Sequence, residues 1–258
     1  MNIYNQLQLR EFFHIEFLRW MSRKIKADNY ALKGGTNLRF FFNSIRYSED
    51  MDLDIRGIIV GNLKALVMKI LLSPSFNDTL RPFGIERIIP PDISKAKQTE
   101  TTQRFKIHLI TSSGEDLFTK IEFSRRGFKG KAVVQPVSDN ILRAYKMTPL
   151  LVSHYEIEST IAQKIGALAG RSIIQARDIF DLYMLSSQYT PRKTVILDKN
   201  RLTKAHDNIF EISFVQFRDS VLSYLSPEDR ASYESADSWD EIKLKTANFI
   251  AELRGNHG

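Results

Sequence analysis

The chain has 258 residues, enough for one large domain or two modest ones. With 43% hydrophobic and 26% charged residues it has the composition of a globular protein, and without cysteine it forms no disulfide and no thiolate metal site. No apolar run approaches the ~20 residues that span a bilayer, and the amphipathic, acid-bearing N-terminus does not look like a signal peptide, so a cytoplasmic protein without membrane contact is expected. The net charge of +7 is uneven: residues 1–150 carry 24 basic and 15 acidic side chains, whereas residues 201–258 carry 7 and 10. A basic first part suits a phosphate-bearing partner; a solvated positive surface is the other reading.

In chain order, residues 6–27 show helical spacing at Leu7, Phe12, Ile15, Leu18 and Met21. A turn at Asp28-Asn29 leads to a short strand, Tyr30-Ala31-Leu32, then Lys33-Gly34-Gly35-Thr36 and a second helix through Phe42. Met51–Ile55 alternates apolar and acidic residues with the period of a half-buried strand. Residues 62–72 read as a helix ended by Ser73-Pro74, and strands follow at Gln103–Ile110, Phe118–Phe123 and Val133–Val137. From residue 155 the chain turns helical: Glu158–Leu168 closed by Gly170, then Ala176–Leu185, 202–225 and 239–253, the last two separated by a turn at Ser226-Pro227-Glu228-Asp229. The expected division is 1–150 and 151–258.

Ser48-Glu49-Asp50-Met51-Asp52-Leu53-Asp54 carries the most chemistry. On a strand, Asp50, Asp52 and Asp54 share one face while Met51, Leu53 and Ile55 enter the core. Aspartate is a poor strand former and like charges on one face repel, which a divalent cation would reverse. An edge strand whose acids deter aggregation is the other reading. Gly34 and Gly35 allow close approach of the backbone to a phosphate, helix-start amides donate to anions, and Thr36 can add a hydroxyl, although an ordinary turn also uses these residues. Thirteen residues, room for a helix, separate Thr36 from Asp50, so phosphate-binding amides and metal-binding carboxylates can face one cleft.

Gly34-Gly35-Thr36 followed by Arg46-Tyr47-Ser48-Glu49-Asp50-Met51-Asp52 resembles the nucleotidyltransferases of the AbiEii/AbiGii toxin type, also known as DUF1814. Residues 158–185, with Lys164 and then Arg177-Asp178, resemble the family's second hallmark, a lysine-bearing helix followed by Arg-Asp-x-x-Asp-Leu. The likeness implies an α+β fold: a polymerase-β-like nucleotidyltransferase domain, a small mixed sheet with flanking helices, followed by a C-terminal helical bundle that contributes Lys164 and Asp178 to the cleft. It implies transfer of a nucleoside monophosphate from an NTP to an acceptor hydroxyl with release of pyrophosphate. Mg²⁺ is the implied cofactor, in a two-metal site on Asp50 and Asp52, with Mn²⁺ as an alternative.

By the same carry-over Gly34, Gly35, Thr36, Ser48 and Lys164 bind the nucleotide, and Lys164 and Asp178 are functional. Locally, Lys164 sits at the margin of an apolar helix face, from which its ammonium can reach a cleft and meet a phosphate as a point charge; a snorkelling surface lysine is the other reading. Asp178 and Asp181 could instead pair with Arg177 or Arg171 and hold two helices together. A third carboxylate is usual in such a fold; Glu122, between Ile121 and Phe123, is the candidate for catalysis and metal binding, with Asp54 as competitor. Arg125, Arg126, Lys129 and Lys131 around Phe128 suit a triphosphate or RNA backbone, or a solvated loop. The five histidines show no metal-ligand spacing. The expectation is therefore an Mg²⁺-dependent nucleotidyltransferase acting on a tRNA 3′ end as the toxin of a toxin–antitoxin or phage-defence pair, with a cognate antitoxin as partner. The alternatives are a protein or small-molecule acceptor, or a non-catalytic nucleotide- or RNA-binding module.

Overall fold

A computed structural model describes residues 4–94, 96–190 and 198–255. The chain forms two units, one of Met1–Phe41 with Tyr47–Tyr155, the other of Phe42–Arg46 with Glu156–Gly258.

In the first unit, helix α1 (Gln6–Ser22) opens with a capping box in which Asn5 and Gln8 satisfy each other's backbone amides. It is buried around most of its circumference, because Phe13 and Phe17 extend the apolar face of Phe12, Ile15, Leu18 and Met21. Strand β1 (Tyr30–Lys33) runs straight into helix α2 (Gly34–Phe41), so the diglycine forms the first turn of a helix. Strand β2 (Met51–Ile55), helix α3 (Val60–Leu71) and helix α4 (Pro74–Leu80) follow. Ser73-Pro74 ends one helix and starts the next, with the Ser73 hydroxyl accepting from the Phe76 amide and proline in the first turn.

Strands β3 (Ile85–Ile89), β4 (Thr102–Thr111), β5 (Asp116–Ser124) and β6 (Ala132–Pro136), helix α5 (Asp139–Ala144) and strand β7 (Leu151–Tyr155) complete the unit. The seven strands form one mixed sheet in the order β3-β4-β5-β2-β1-β7-β6. Pairing is parallel for β2–β5 and β1–β7 and antiparallel elsewhere. One core unites α1, α3 and α4 with Leu32, Leu53, Phe105, Ile107, Leu109, Ile121 and Phe123 of the strands. Strand β7 pairs with β1 and β6, so the sheet reaches past the expected boundary at 150.

The second unit contains α6 (Ile157–Gly170), α7 (Ala176–Ser186), α8 (Lys199–Asn208), α9 (Phe214–Ser220), α10 (Pro227–Ala231) and α11 (Ala236–Gly255). Its core includes Ile161, Ile165, Leu168, Phe180, Leu185 and Phe217, the last stacked on Trp239 with ring centroids 4.3 Å apart. The expected single helix over 202–225 is broken, because Ser213 and Gln216 make a second capping box that starts α9. The expected turn at Ser226-Pro227 is the start of α10, capped by the Ser226 hydroxyl. Gly170, expected to close α6, is its last residue. Among the described residues no helix is long and apolar enough to cross a membrane.

Candidate active site

Strand register assembles the carboxylates. Lys33 of β1 lies opposite Asp52 of β2, and Asp52 lies opposite Glu122 of β5, which in turn faces Arg104 of β4. Alternation then puts Asp50, Asp52, Asp54, Lys120 and Glu122 on one side of the sheet, while Met51, Leu53, Ile121 and Phe123 fill the core. Asp50 and Asp52 are half-buried at positions about 6.6 Å apart along the strand.

The segment leading into β2 is fastened by hydroxyls. Thr36 Oγ1 donates to the Asp50 carbonyl at 2.8 Å, and Ser48 Oγ donates to the same oxygen at 2.7 Å. Thr119 Oγ1 donates to the Glu49 carbonyl at 2.7 Å and is itself 2.8 Å from Nε2 of the buried His14. Thr36 and Ser48 thus hold the backbone that presents Asp50, and Thr36 is fully buried. His14 and Thr119 belong to this support and sequence reasoning missed them; a polar pair 105 residues apart leaves no local signal. Burial drives the His14 pKa down to about 3, with the Arg10 charge adding to the effect, which keeps the ring neutral.

Gly34 adopts φ +71, and a Cβ there would stand 3.0 Å from Asp52 Oδ2. Only glycine permits both this left-handed turn and so close an approach. The start of α2, where Gly34 and Gly35 have no acceptor for their amides within the helix, therefore lies against the Asp52 carboxylate.

Charge in the site is dense. Lys120 Nζ lies 2.8 Å from Asp50 Oδ2, while Asp50 Oδ1 is buried and accepts no hydrogen bond. Burial raises the Asp52 pKa above the ordinary aspartate value; Lys120 and Lys33 act against this and the Glu122 and Asp50 charges reinforce it. Burial alone would lower the Lys120 pKa, but its hydrogen bond to Asp50 and the surrounding carboxylates raise it. Asp54, the expected competitor for the third acid, has both oxygens engaged, Oδ1 with Lys33 Nζ at 2.5 Å and Oδ2 with the Tyr155 hydroxyl at 2.6 Å.

Glu122 shares the face of Asp52, but its Oε2 accepts from Arg104 Nε at 2.5 Å. The expected trio of Asp50, Asp52 and Glu122 is accordingly not gathered as a metal cage: among the described residues no three His, Cys, Asp or Glu side chains could hold a metal by themselves. The donor set nevertheless fits Mg²⁺, which takes one or two carboxylates and completes its shell with substrate phosphates and water. Asp50 and Asp52 supply two hard anionic donors, and Asp50 Oδ1 is buried without a hydrogen-bond partner, an acceptor left for such an ion to satisfy once the carboxylate is free to turn toward it.

The basic loop after β5 is partly committed. Arg125 donates to the Ile58 carbonyl and, at 3.1 Å, to Gln103 Oε1; the Phe128 ring lies under the Arg56 guanidinium at 4.4 Å.

Lys164 and Asp178 lie in the second unit, and Lys164 is buried there. Its Nζ is 2.5 Å from Asp181 Oδ2 and 3.1 Å from Asp178 Oδ1. Arg46 grips Asp181 through both carboxylate oxygens at 3.0 Å, and Arg171 Nε is 3.3 Å from Asp178 Oδ2. Asp178 and Asp181 thus pair with Arg171 and Arg46, while Arg177 is exposed on the first turn of α7. Burial would raise the Asp181 pKa, but Arg46 and Lys164 outweigh it and hold the carboxyl below the usual range. A cavity of about 620 Å³ in this unit is bordered by Tyr183, Tyr233, Lys245 and Phe249; none of the expected site residues lines it.

The family described as nucleotidyl transferase AbiEii toxin, type IV toxin–antitoxin system, matches residues 16–254. The chain belongs to this family. The AbiEii family is one of nucleotidyltransferases, and the fold agrees with it. The chain is similar to the nucleotidyltransferase toxin MenT4 from Mycobacterium tuberculosis H37Rv, at TM-score 0.68 and 16% identity over 96% of this chain and 84% of that one. It is also similar to JHP933 from Helicobacter pylori, at TM-score 0.57 and 21% identity over 98% and 94%. No curated protein matches the chain. In this AbiEii chain the diglycine, the hydroxyls and the alternating aspartates meet at the junction of β1, α2 and β2.

Proposed function

We propose that the protein transfers a nucleoside monophosphate from an NTP to the 3′ hydroxyl of an RNA, a tRNA end above all, in a Mg²⁺-dependent reaction in the cytoplasm, and that a cognate antitoxin restrains it. The observation that carries this reading is the close approach of Gly34 to Asp52, whose Oδ2 would stand 3.0 Å from a Cβ at that position: amides suited to a triphosphate lie beside a carboxylate suited to a cation. Asp50 and Asp52 would hold Mg²⁺, and the ion when bound offsets phosphate charge and polarises the acceptor hydroxyl. Gly34 and Gly35 admit the phosphates against the start of α2. The acceptor oxygen bonds to the α-phosphorus, the bond to pyrophosphate breaks, and Glu122, aimed by Arg104, takes the hydroxyl proton. The RNA acceptor rests on the net charge of +9 over residues 1–150. Lys164 and Asp178 carry over from the family resemblance as functional residues.

Purified protein incubated with Mg²⁺, total tRNA and each α-labelled NTP in turn tests the reading. Label in tRNA is expected, and Asp52→Asn should reduce it by about 100-fold or more while the protein stays folded. Label appearing in protein or in small molecules of a whole lysate, with none in RNA, would overturn the acceptor. Undiminished transfer by Asp52→Asn would overturn the site.

A further inference from the structure

Three carboxylates, Asp50, Asp52 and Glu122, share one face of β2 and β5, and the ammonium of Lys120 is paired with the first of them. Lys120 projects from β5 between the buried Thr119 and Ile121, on the same side as Glu122. The parallel register that pairs Met51 with Ile121 brings it beside Asp50. We propose that Lys120 is a placeholder cation: its ammonium occupies the metal-binding side of Asp50 in the nucleotide-free protein and must leave before a divalent ion can load. The proposal rests on the reading of Asp50 and Asp52 as the carboxylates that hold Mg²⁺.

The geometry supports displacement over permanent pairing. The ammonium touches only one oxygen of Asp50, at 2.8 Å, and leaves the other buried without a hydrogen bond. Both side chains keep contact with solvent, 26% exposed for Lys120 and 30% for Asp50. A lysine is a point charge on a flexible stem, able to swing away without breaking a bidentate fork. Glu122, two residues along the same strand face, acts on Lys120 electrostatically, but its Oε2 is engaged by Arg104 at 2.5 Å and is not a free partner for the displaced ammonium. The same ammonium, with Lys33 on Asp54 and Arg104 on Glu122, offsets the repulsion among carboxylates that share one face of the sheet.

Competition for Asp50 has a thermodynamic consequence. A metal arriving alone must expel the ammonium, so its affinity is lowered. A metal arriving with a triphosphate offers the expelled ammonium an anionic partner. Metal and NTP therefore reinforce each other's binding, and by linkage each does so by the same factor.

The test measures Mn²⁺ binding to the full chain by the electron paramagnetic resonance of free Mn²⁺, with and without a non-hydrolysable NTP. In Lys120→Met the nucleotide-free Kd should fall about tenfold, equivalent to about 1.4 kcal/mol, and the gain in Mn²⁺ affinity on adding NTP should shrink. Lys120→Arg keeps the charge and grips Asp50 with a fork, so Mn²⁺ binding should weaken instead; it serves as the second variant if the methionine protein fails to fold. A Kd equal to wild type in the folded variants, with binding still lost in Asp52→Asn, would overturn the placeholder and leave the metal site standing. Mn²⁺ binding that is absent in wild type and Lys120→Met alike, or indifferent to Asp52→Asn, would overturn both.

Discussion

Lys164 lies between two carboxylates in a region nearly closed to water, and each of those carboxylates also meets an arginine. Such a network contributes little net stability when intact but is costly to break, because the abandoned charge stays buried. The sequence alone leads one to expect that Lys164→Ala spares the melting temperature. The structure leads to the opposite expectation. Lys164→Ala leaves Asp178 and Asp181 with Arg171 and Arg46 alone and should cost about 3–5 kcal/mol, read by calorimetry as a lowered Tm; an unchanged Tm would refute it. Lys164→Arg, which keeps the charge, should recover most of that loss, so any transfer activity it fails to recover reports on function and not on folding. The residue types here were legible in the sequence, but the partners were not. Nothing local joins Arg46 to Asp181, 135 positions away. Likewise alternation placed Asp54 with Asp50 and Asp52, and only the Tyr155 hydroxyl and Lys33 ammonium show it to be spoken for.

The element that frames the site is β1–α2–β2. It could be read from the sequence because each part has its own signature: a short apolar strand, a diglycine, and a strict two-residue alternation. Gly34 is the tightest point in it. Ala at this position takes on the cost of a positive φ, roughly 1–3 kcal/mol, and its methyl presses on Asp52 Oδ2. Gly34→Ala is expected to lower both the Tm and nucleotidyl transfer, whereas the same change at Gly61, where an added Cβ meets nothing within 4 Å, should leave transfer intact. Equal activity of the two variants, assayed side by side, would separate the diglycine from the chemistry. Other elements escaped the sequence reading for physical reasons. Strand β7 contains Ser153 and His154, polar residues that interrupt its apolar run; in the fold His154 Nδ1 is 3.0 Å from Asn37 Oδ1 and its ring stacks on Phe41. Strand β3 lies at the sheet edge with Glu86 and Arg87 exposed, so it shows no apolar period. The break before α9 did carry a signal, Ser213 three residues before Gln216, which the long helical periodicity masked.

For the whole molecule, stability should depend on pH through two buried histidines. Burial lowers the pKa of His14 to about 3 and of His154 to about 4, against about 6.5 in an unfolded chain. Between those values the unfolded state binds protons that the folded state refuses, so unfolding free energy rises with pH across the window. Stability is therefore complete above pH 6.5 and is lost as pH falls, each histidine contributing a slope of up to about 1.4 kcal/mol per pH unit until its folded-state pKa is reached. Asp52 and Glu16, whose pKa values are raised, oppose this below their own folded-state values, because there the folded state is the one that gains protons. The signature of the histidine term is a urea midpoint that falls between pH 6.5 and 5. His14→Gln and His154→Gln should each lower stability at pH 7 by loss of packing and flatten that fall. A wild-type midpoint that does not move between pH 6.5 and 5 would mean that the two rings accept protons in place, and that the polar support beneath Glu49 and Asn37 is looser than the hydrogen bonds imply.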